Sequence, residues 1–324
     1  MNRMVLRSVL IVLCTTGLFA MGGLQNQNSP GKPIVGNGAA GRGDPGGGGA
    51  GTSGSLRLRG RVLPKIPDIK GVTDDGKGHI QISSPRPLEV AAEFLRRKSG
   101  LVVSYEEPAW MSAQDTVLAG DLPENRGLVE KYPTWRGNLV PREGSLNVFL
   151  PDSHQLAKAN NLRNVIEDIL ANHISHRNAG DFKLAEVNGT FDILADKVTD
   201  ESGRMIPAKL PLDTVISFEN RARSLADTID VICAKVRESS GIPVISTVNM
   251  TAAGYLNEIE VQIGANNEVA RSVLARAFRG GSLEYSWHVD YLPDEKLFVL
   301  GAVAVQAETD TPQGLTLLIP AWPK

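Results

Sequence analysis

The sequence predicts an α+β fold of tandem duplicated strand–helix–strand units, with helices packed on antiparallel or mixed sheets. Three observations lead there. Two segments read strand, helix, strand, with a Ser-Gly pair closing each helix; two others read strand, helix, hairpin; and the two kinds alternate A, B, A, B along the chain. Repetition on this scale is the mark of a duplicated architecture.

The chain begins with a segment outside the fold. Arg3 and Arg7 precede the charge-free run Ser8 to Met21, the basic and apolar regions of a secretory signal peptide. At about 14 residues the run is short of the roughly 20 that span a bilayer, so no permanent membrane span is expected. Small residues at Ala20 and Gly22 suit cleavage after Gly22, with a cut after Ala20 as the alternative. Residues 1–22 are thus a signal peptide, and the chain is expected to be exported, to the periplasm or beyond the cell. Leu13 before Cys14 does not fit a lipoprotein signal.

Residues 23–55 hold 12 of the 33 glycines and three prolines, a composition that buries little and predicts a disordered linker. Gly36, Gly38 and Gly41 match the spacing of a dinucleotide fingerprint, but four consecutive glycines follow where a helix would have to start. Arg42-Gly43-Asp44 is read as a chance tripeptide of the linker. Leu56 to Leu63 alternates apolar and basic residues, the pattern of an edge strand with one basic face.

The first copy is placed at 56–205. Its A unit has the strand His79 to Ile82, a helix with Leu88, Ala91, Ala92 and Leu95 on one face, the stop Gly100, and the strand Leu101 to Tyr105. Its B unit has the strand Leu146 to Leu150, a helix striped by Leu162, Val165, Ile166, Ile169 and Leu170, and a hairpin around Asn188-Gly189, a strong turn signal. The insertion 106–144 separates the two units and has no counterpart later. The second copy, 206–307, repeats the order. Thr214 to Phe218, a helix striped by Leu225, Ile229, Ile232 and Val236, and Ile242 to Val244 form its A unit. Glu260 to Ile263, a helix with Val273, Leu274 and Phe278, and a hairpin across Pro293-Asp294 form its B unit. Residues 308–324 are a tail.

Composition excludes several functions. With 34 basic against 36 acidic side chains the net charge is -2, which provides no field for nucleic acid, and 5% aromatics give little stacking surface. Removing the signal peptide leaves Cys233 as the single cysteine, so no intrachain disulfide forms in the mature chain; its position on the apolar stripe reads as core.

Ile82-Ser83-Ser84-Pro85-Arg86-Pro87-Leu88, then Ala91-Ala92-Glu93-Phe94-Leu95, then Ser99-Gly100-Leu101-Val102-Val103-Ser104-Tyr105 resemble the secretin and TonB short N-terminal domain. The resemblance covers residues 79–107 and only faintly the second A unit. It implies a small α+β module of the bacterial envelope that mediates protein contacts, with no catalytic residue. The chain is also similar to uncharacterised exported bacterial proteins built around that module. Unlike the module's familiar settings, little sequence follows residue 307, and no series of membrane strands accompanies it.

No residue set reads as a catalytic centre. His173 and His176, with Glu167 and Asp168 a turn or two earlier, are a weak metal-ligand pattern that a helix C-terminus also explains. Glu106 and Glu107 read as a solvated turn, since neighbours on a strand face opposite ways and cannot act on one bond. Asp152-Ser153-His154 has triad residue types, but contiguous residues rarely assemble a triad. Asn188 and Asn249 match glycosylation sequons with simpler structural readings. Trp287 reads as core, while Trp110 and Trp135 in the insertion are the candidate interface anchors. The expectation is therefore an exported, non-catalytic interaction or scaffold module of the envelope, without cofactor or metal, whose partner is an unknown envelope protein and not nucleic acid. The alternatives are a periplasmic ligand-binding protein or hydrolase-like enzyme with its site between the copies, or a structural protein that self-associates.

Overall fold

A computed structural model of the chain describes residues 69, 71–122, 125–134, 139–187, 189–248, 253–279 and 284–305. The segments expected to be signal peptide, linker, basic strand (Leu56 to Leu63) and tail, together with Trp135 and both sequon asparagines, lie outside these residues.

In chain order the first copy contains β1 (Val72–Asp74), β2 (His79–Ser84), α1 (Pro87–Ser99), β3 (Val103–Glu106), β4 (Thr116–Leu118), α2 (Arg126–Lys131), β5 (Leu139–Pro141), β6 (Gly144–Phe149), α3 (Ser153–Leu156), α4 (Ala159–Ser175), β7 (Asp181–Val187) and β8 (Thr190–Thr199). The short β9 (Met205–Pro207) links it to the second: β10 (Val215–Ser224), α5 (Leu225–Ser240), β11 (Val244–Ser246), α6 (Ala253–Glu258), β12 (Glu260–Val269), α7 (Ala270–Arg279), β13 (Tyr285–Leu292) and β14 (Leu297–Ala304). The fold is α+β, as the sequence predicts.

The two copies repeat one pairing scheme. β2 pairs with β6 and β10 with β12, both antiparallel. β3 lies parallel to β8, and β11 parallel to β14. β7–β8 and β13–β14 are antiparallel hairpins. Local chemistry repeats with the topology. α1 and α5 both end on a glycine in the left-handed region, Gly100 at φ 69° and Gly241 at φ 71°, each amide capping the last turn. From those caps the register runs in step: Val103 faces Phe191 as Val244 faces Phe298. Phe191 donates its amide to Val102 as Phe298 does to Pro243. Glu106 and Glu107 therefore correspond to Thr247 and Val248.

The copies join through β13, which lies parallel to β3, giving among the described residues one seven-stranded sheet in the order β11–β14–β13–β3–β8–β7, with β9 on the end of β8. Along that sheet β11 and β14 run one way, β13, β3 and β8 the other, and β7 reverses again. The second copy is the first turned over about an axis across the strands. Helices accordingly cover opposite faces. His173 of α4 meets Phe182 edge-on, and Phe182 stacks on Tyr105. Phe278 of α7 packs on Tyr285 and Trp287, on the other face. Cys233 is buried on α5 and burial pushes its thiol up to about 12, which removes its nucleophilic form at neutral pH.

Two sequence expectations are corrected. Glu106 and Glu107 are no solvated turn; both are wholly buried, at 0% exposure. The insertion consequently starts only after Glu107. It carries the β4–β5 ladder, and the Leu139 amide donates to Asp294 Oδ2 at 2.6 Å, tying it to the β13–β14 turn. Strands β10 and β12 also extend well past the predicted segments, because their outer halves pair with each other and need no apolar face toward the core. Among the described residues no helix is long and apolar enough to cross a membrane.

Candidate functional site

The joint between the copies concentrates the buried charge. Because side chains alternate along a strand, Glu106 and Glu107 point to opposite faces of the central sheet, and each meets its own arginine. On the first face Arg86, the residue before α1, grips Glu107 with two donors, Nε to Oε2 and a terminal nitrogen to Oε1, both at 2.9 Å. The same guanidinium donates to the Tyr291 carbonyl at 3.0 Å, and the Tyr291 amide donates to Glu107 Oε1. On the second face Arg271 of α7 grips Glu106 through two bonds of 2.7 Å and donates to Asp213 at 2.5 Å, while the Trp287 indole donates to Glu106 at 3.1 Å. Forked pairs of this kind are the strong form of a charged hydrogen bond.

Around each pair sits a less satisfied carboxylate. Asp192 on β8 is 1% exposed; burial and the nearby Glu106 charge push it up to about 7, and its Oδ1 accepts no hydrogen bond among the described residues. On the first face Glu89 and Asp290 each approach the Arg86 Nε to 3.9 Å, beyond hydrogen-bond length. Burial, with the Asp290 charge second, holds the Glu89 carboxyl well above the usual range. His288 lies on the same face of β13, its Nε2 3.8 Å from Asp290 Oδ2, and burial lowers the imidazole below its ordinary value. One ligand atom each from Glu89, His288 and Asp290 fall within 4.8 Å of one another.

Beside this cluster a shallow cleft, with room for little more than a water molecule, is lined by Arg86, Tyr105, Trp110, His173, Asn178 and Phe182 among others. Trp110 is buried against Gly180, and its indole nitrogen has no acceptor among the described residues. It forms a wall of the first copy. His173 and His176 do not converge. The His173 Nε2 lies 3.1 Å from the carbonyl oxygens of Ala179 and Gly180, whereas the His176 ring returns to the Asn172 carbonyl on the surface. Asp152 caps α3 by accepting from the Gln155 amide, a structural duty.

No sequence motif marks Arg86, Glu89, Asp192, Arg271, His288 and Asp290 as site residues. One signal was present: His288 and Asp290 are two apart on a strand, which puts both on one face. The partners Glu89 and Arg86 lie about 200 residues away along the chain, as the Arg86–Tyr291 separation of 205 shows, and no local pattern connects them.

No protein-family model matches the chain, and comparison with curated proteins and with solved structures gave no match.

Proposed function

We propose that the chain is an exported, non-catalytic scaffold of the cell envelope that holds an envelope protein through strand addition at the open edges of its central sheet. One observation carries this reading. β7 and β11, the two ends of the sheet, pair with no further strand among the described residues, yet their counterparts β13 and β3 pair with each other inside the molecule. An edge of this geometry is thus already used to bind a strand. Open edges are templates for added strands, with the backbone providing affinity and alternate side chains specificity.

The pairing pattern says which groups are offered. Phe191 bonds toward β3, so Thr190, Asp192 and Leu194 bond toward β7, and their partners are Val187, Ala185 and Lys183. Leu184 and Glu186 then direct their amides and carbonyls outward. The resemblance of residues 79–107 to an envelope contact module supports the same reading, as does the secretory signal pattern of residues 1–22.

The test is crosslinking in the native cell, comparing the wild type with Glu186→Pro. Proline at this position deletes an outward amide and leaves the β7–β8 ladder intact. A reproducible envelope partner that is lost in Glu186→Pro is the expected result. Equal recovery from both chains, or no partner from the wild type, would sink the reading.

A further inference from the structure

Beyond the scaffold role, the joint holds the makings of a metal centre. Glu89 comes from the first turn of α1, in the first copy, and His288 and Asp290 from β13, in the second. An imidazole with two carboxylates is a donor set suited to zinc and its neighbours, with bonds of about 2.0 to 2.2 Å. The three ligand atoms already lie within 4.8 Å of each other. Drawing them onto one ion requires closure of about an ångström.

One feature points at a ligand here, and a second shows how the imidazole is accommodated. Asp290 is 2% exposed, and its Oδ1 is buried without a hydrogen-bond partner among the described residues, with the Arg86 Nε 3.9 Å away, while Oδ2 faces the His288 Nε2 at 3.8 Å. A buried, unpartnered carboxylate oxygen is costly unless a cation or proton meets it. The second feature is Gly301, which faces His288 across the β13–β14 ladder. A methyl group there would overlap the imidazole at Cε1 and Nε2, so the strand leaves room for this ring and fixes where Nε2 lies. The local charge agrees: Glu89, Glu107 and Asp290 surround the single guanidinium of Arg86, a surplus of two negative charges when all are ionised. The His288 side chain is 22% exposed, which gives an ion a way in.

We propose that Glu89, His288 and Asp290 bind one Zn2+ ion at the joint, with solvent as the remaining ligand. The ion would clamp α1 of the first copy to β13 of the second, and the site stands or falls separately from the scaffold reading. Binding Zn2+ only to the folded chain would also stabilise it.

The experiment is calorimetric titration of ZnCl2 into the chelator-treated mature chain, with metal content measured by mass spectrometry. The wild type is expected to take one equivalent. His288→Ala should weaken binding by more than the roughly 10- to 100-fold that losing a merely supporting group costs. Glu89→Gln, which keeps the side-chain shape, should weaken it as well, so a misfolded His288→Ala leaves the test intact. His176→Ala should bind as the wild type does. No uptake by the wild type overturns the proposal, as does uptake that survives Glu89→Gln and His288→Ala. Loss of uptake on changing His176 overturns it too, by placing the ion on the surface.

Discussion

Between the copies β13 meets β3, whereas at the ends of the sheet their counterparts β7 and β11 meet no further strand among the described residues. The backbone geometry of the two kinds of edge is alike; the side chains are not. Where the joint has Glu106, Glu107, His288 and Asp290, the register places Thr247, Val248, Lys183 and Ala185 at the open edges. The closed edge is locked by two carboxylates buried in opposite directions, each held by an arginine from a different copy's helix layer. The open edges lack those charges. A buried ion pair is weak evidence for net stability, since desolvation offsets its attraction, but breaking one side of it strands a charge. The proposed scaffold role needs this contrast: a joint locked by charge, and outer edges with no further strand among the described residues.

The largest effect should come from unlocking the joint. Arg271→Ala leaves the buried Glu106 side chain with the Trp287 indole alone among the described residues, and loss of one partner of a buried pair costs about 3 to 5 kcal/mol. Urea unfolding should show this as a lower midpoint. Changing both partners, Arg271→Met with Glu106→Leu, should cost less than the single change, because no charge is stranded. If the single change is neutral, the lock contributes nothing.

Asp192 should give the next effect. Its carboxyl is raised to about 7 in the folded chain, above the ordinary 3.8, so the folded state binds the proton more tightly than the unfolded one. Its contribution is therefore most favourable below about pH 4 and is lost as pH rises toward 7, a swing on the order of 4 kcal/mol. Subtracting the unfolding free energies of Asp192→Asn from those of the wild type between pH 4 and 8 isolates this slope. A flat difference would mean that the joint is wetter than its geometry indicates.

The open edge should respond least. Glu186→Pro removes an exposed pair with Arg163 and no ladder bond, so it should cost under about 1 kcal/mol in the isolated chain. A loss as large as that of Arg271→Ala would show that β7 is already covered.

How much of this was legible follows from how local each signal is. The helices and their glycine stops lie within a few residues of their causes, and the sequence shows the two copies through Gly100 and Gly241. Trp287 was read as core and is 1% exposed. The sheet order was not legible, because the β13–β3 pairing spans 183 residues from His288 to Tyr105 and depends on how whole copies dock. Glu106 and Glu107 were misread for the same reason. Adjacent glutamates are ordinarily solvated, and what buries them is Arg271, 165 residues from Glu106, and a β13 strand that arrives from the other copy. The place of Trp110 was not legible either, because its ring fills space beside Gly180 that only the folded copy defines.

Native-state amide hydrogen exchange on the isolated chain tests the central claim directly. The Glu107 amide, bonded to the Val289 carbonyl at 3.0 Å across the joint, should exchange only with global unfolding, while the Glu186 amide at the open edge should exchange almost without protection. Fast exchange at Glu107, or full protection at Glu186 with no partner present, would contradict the account of a locked joint between two open edges.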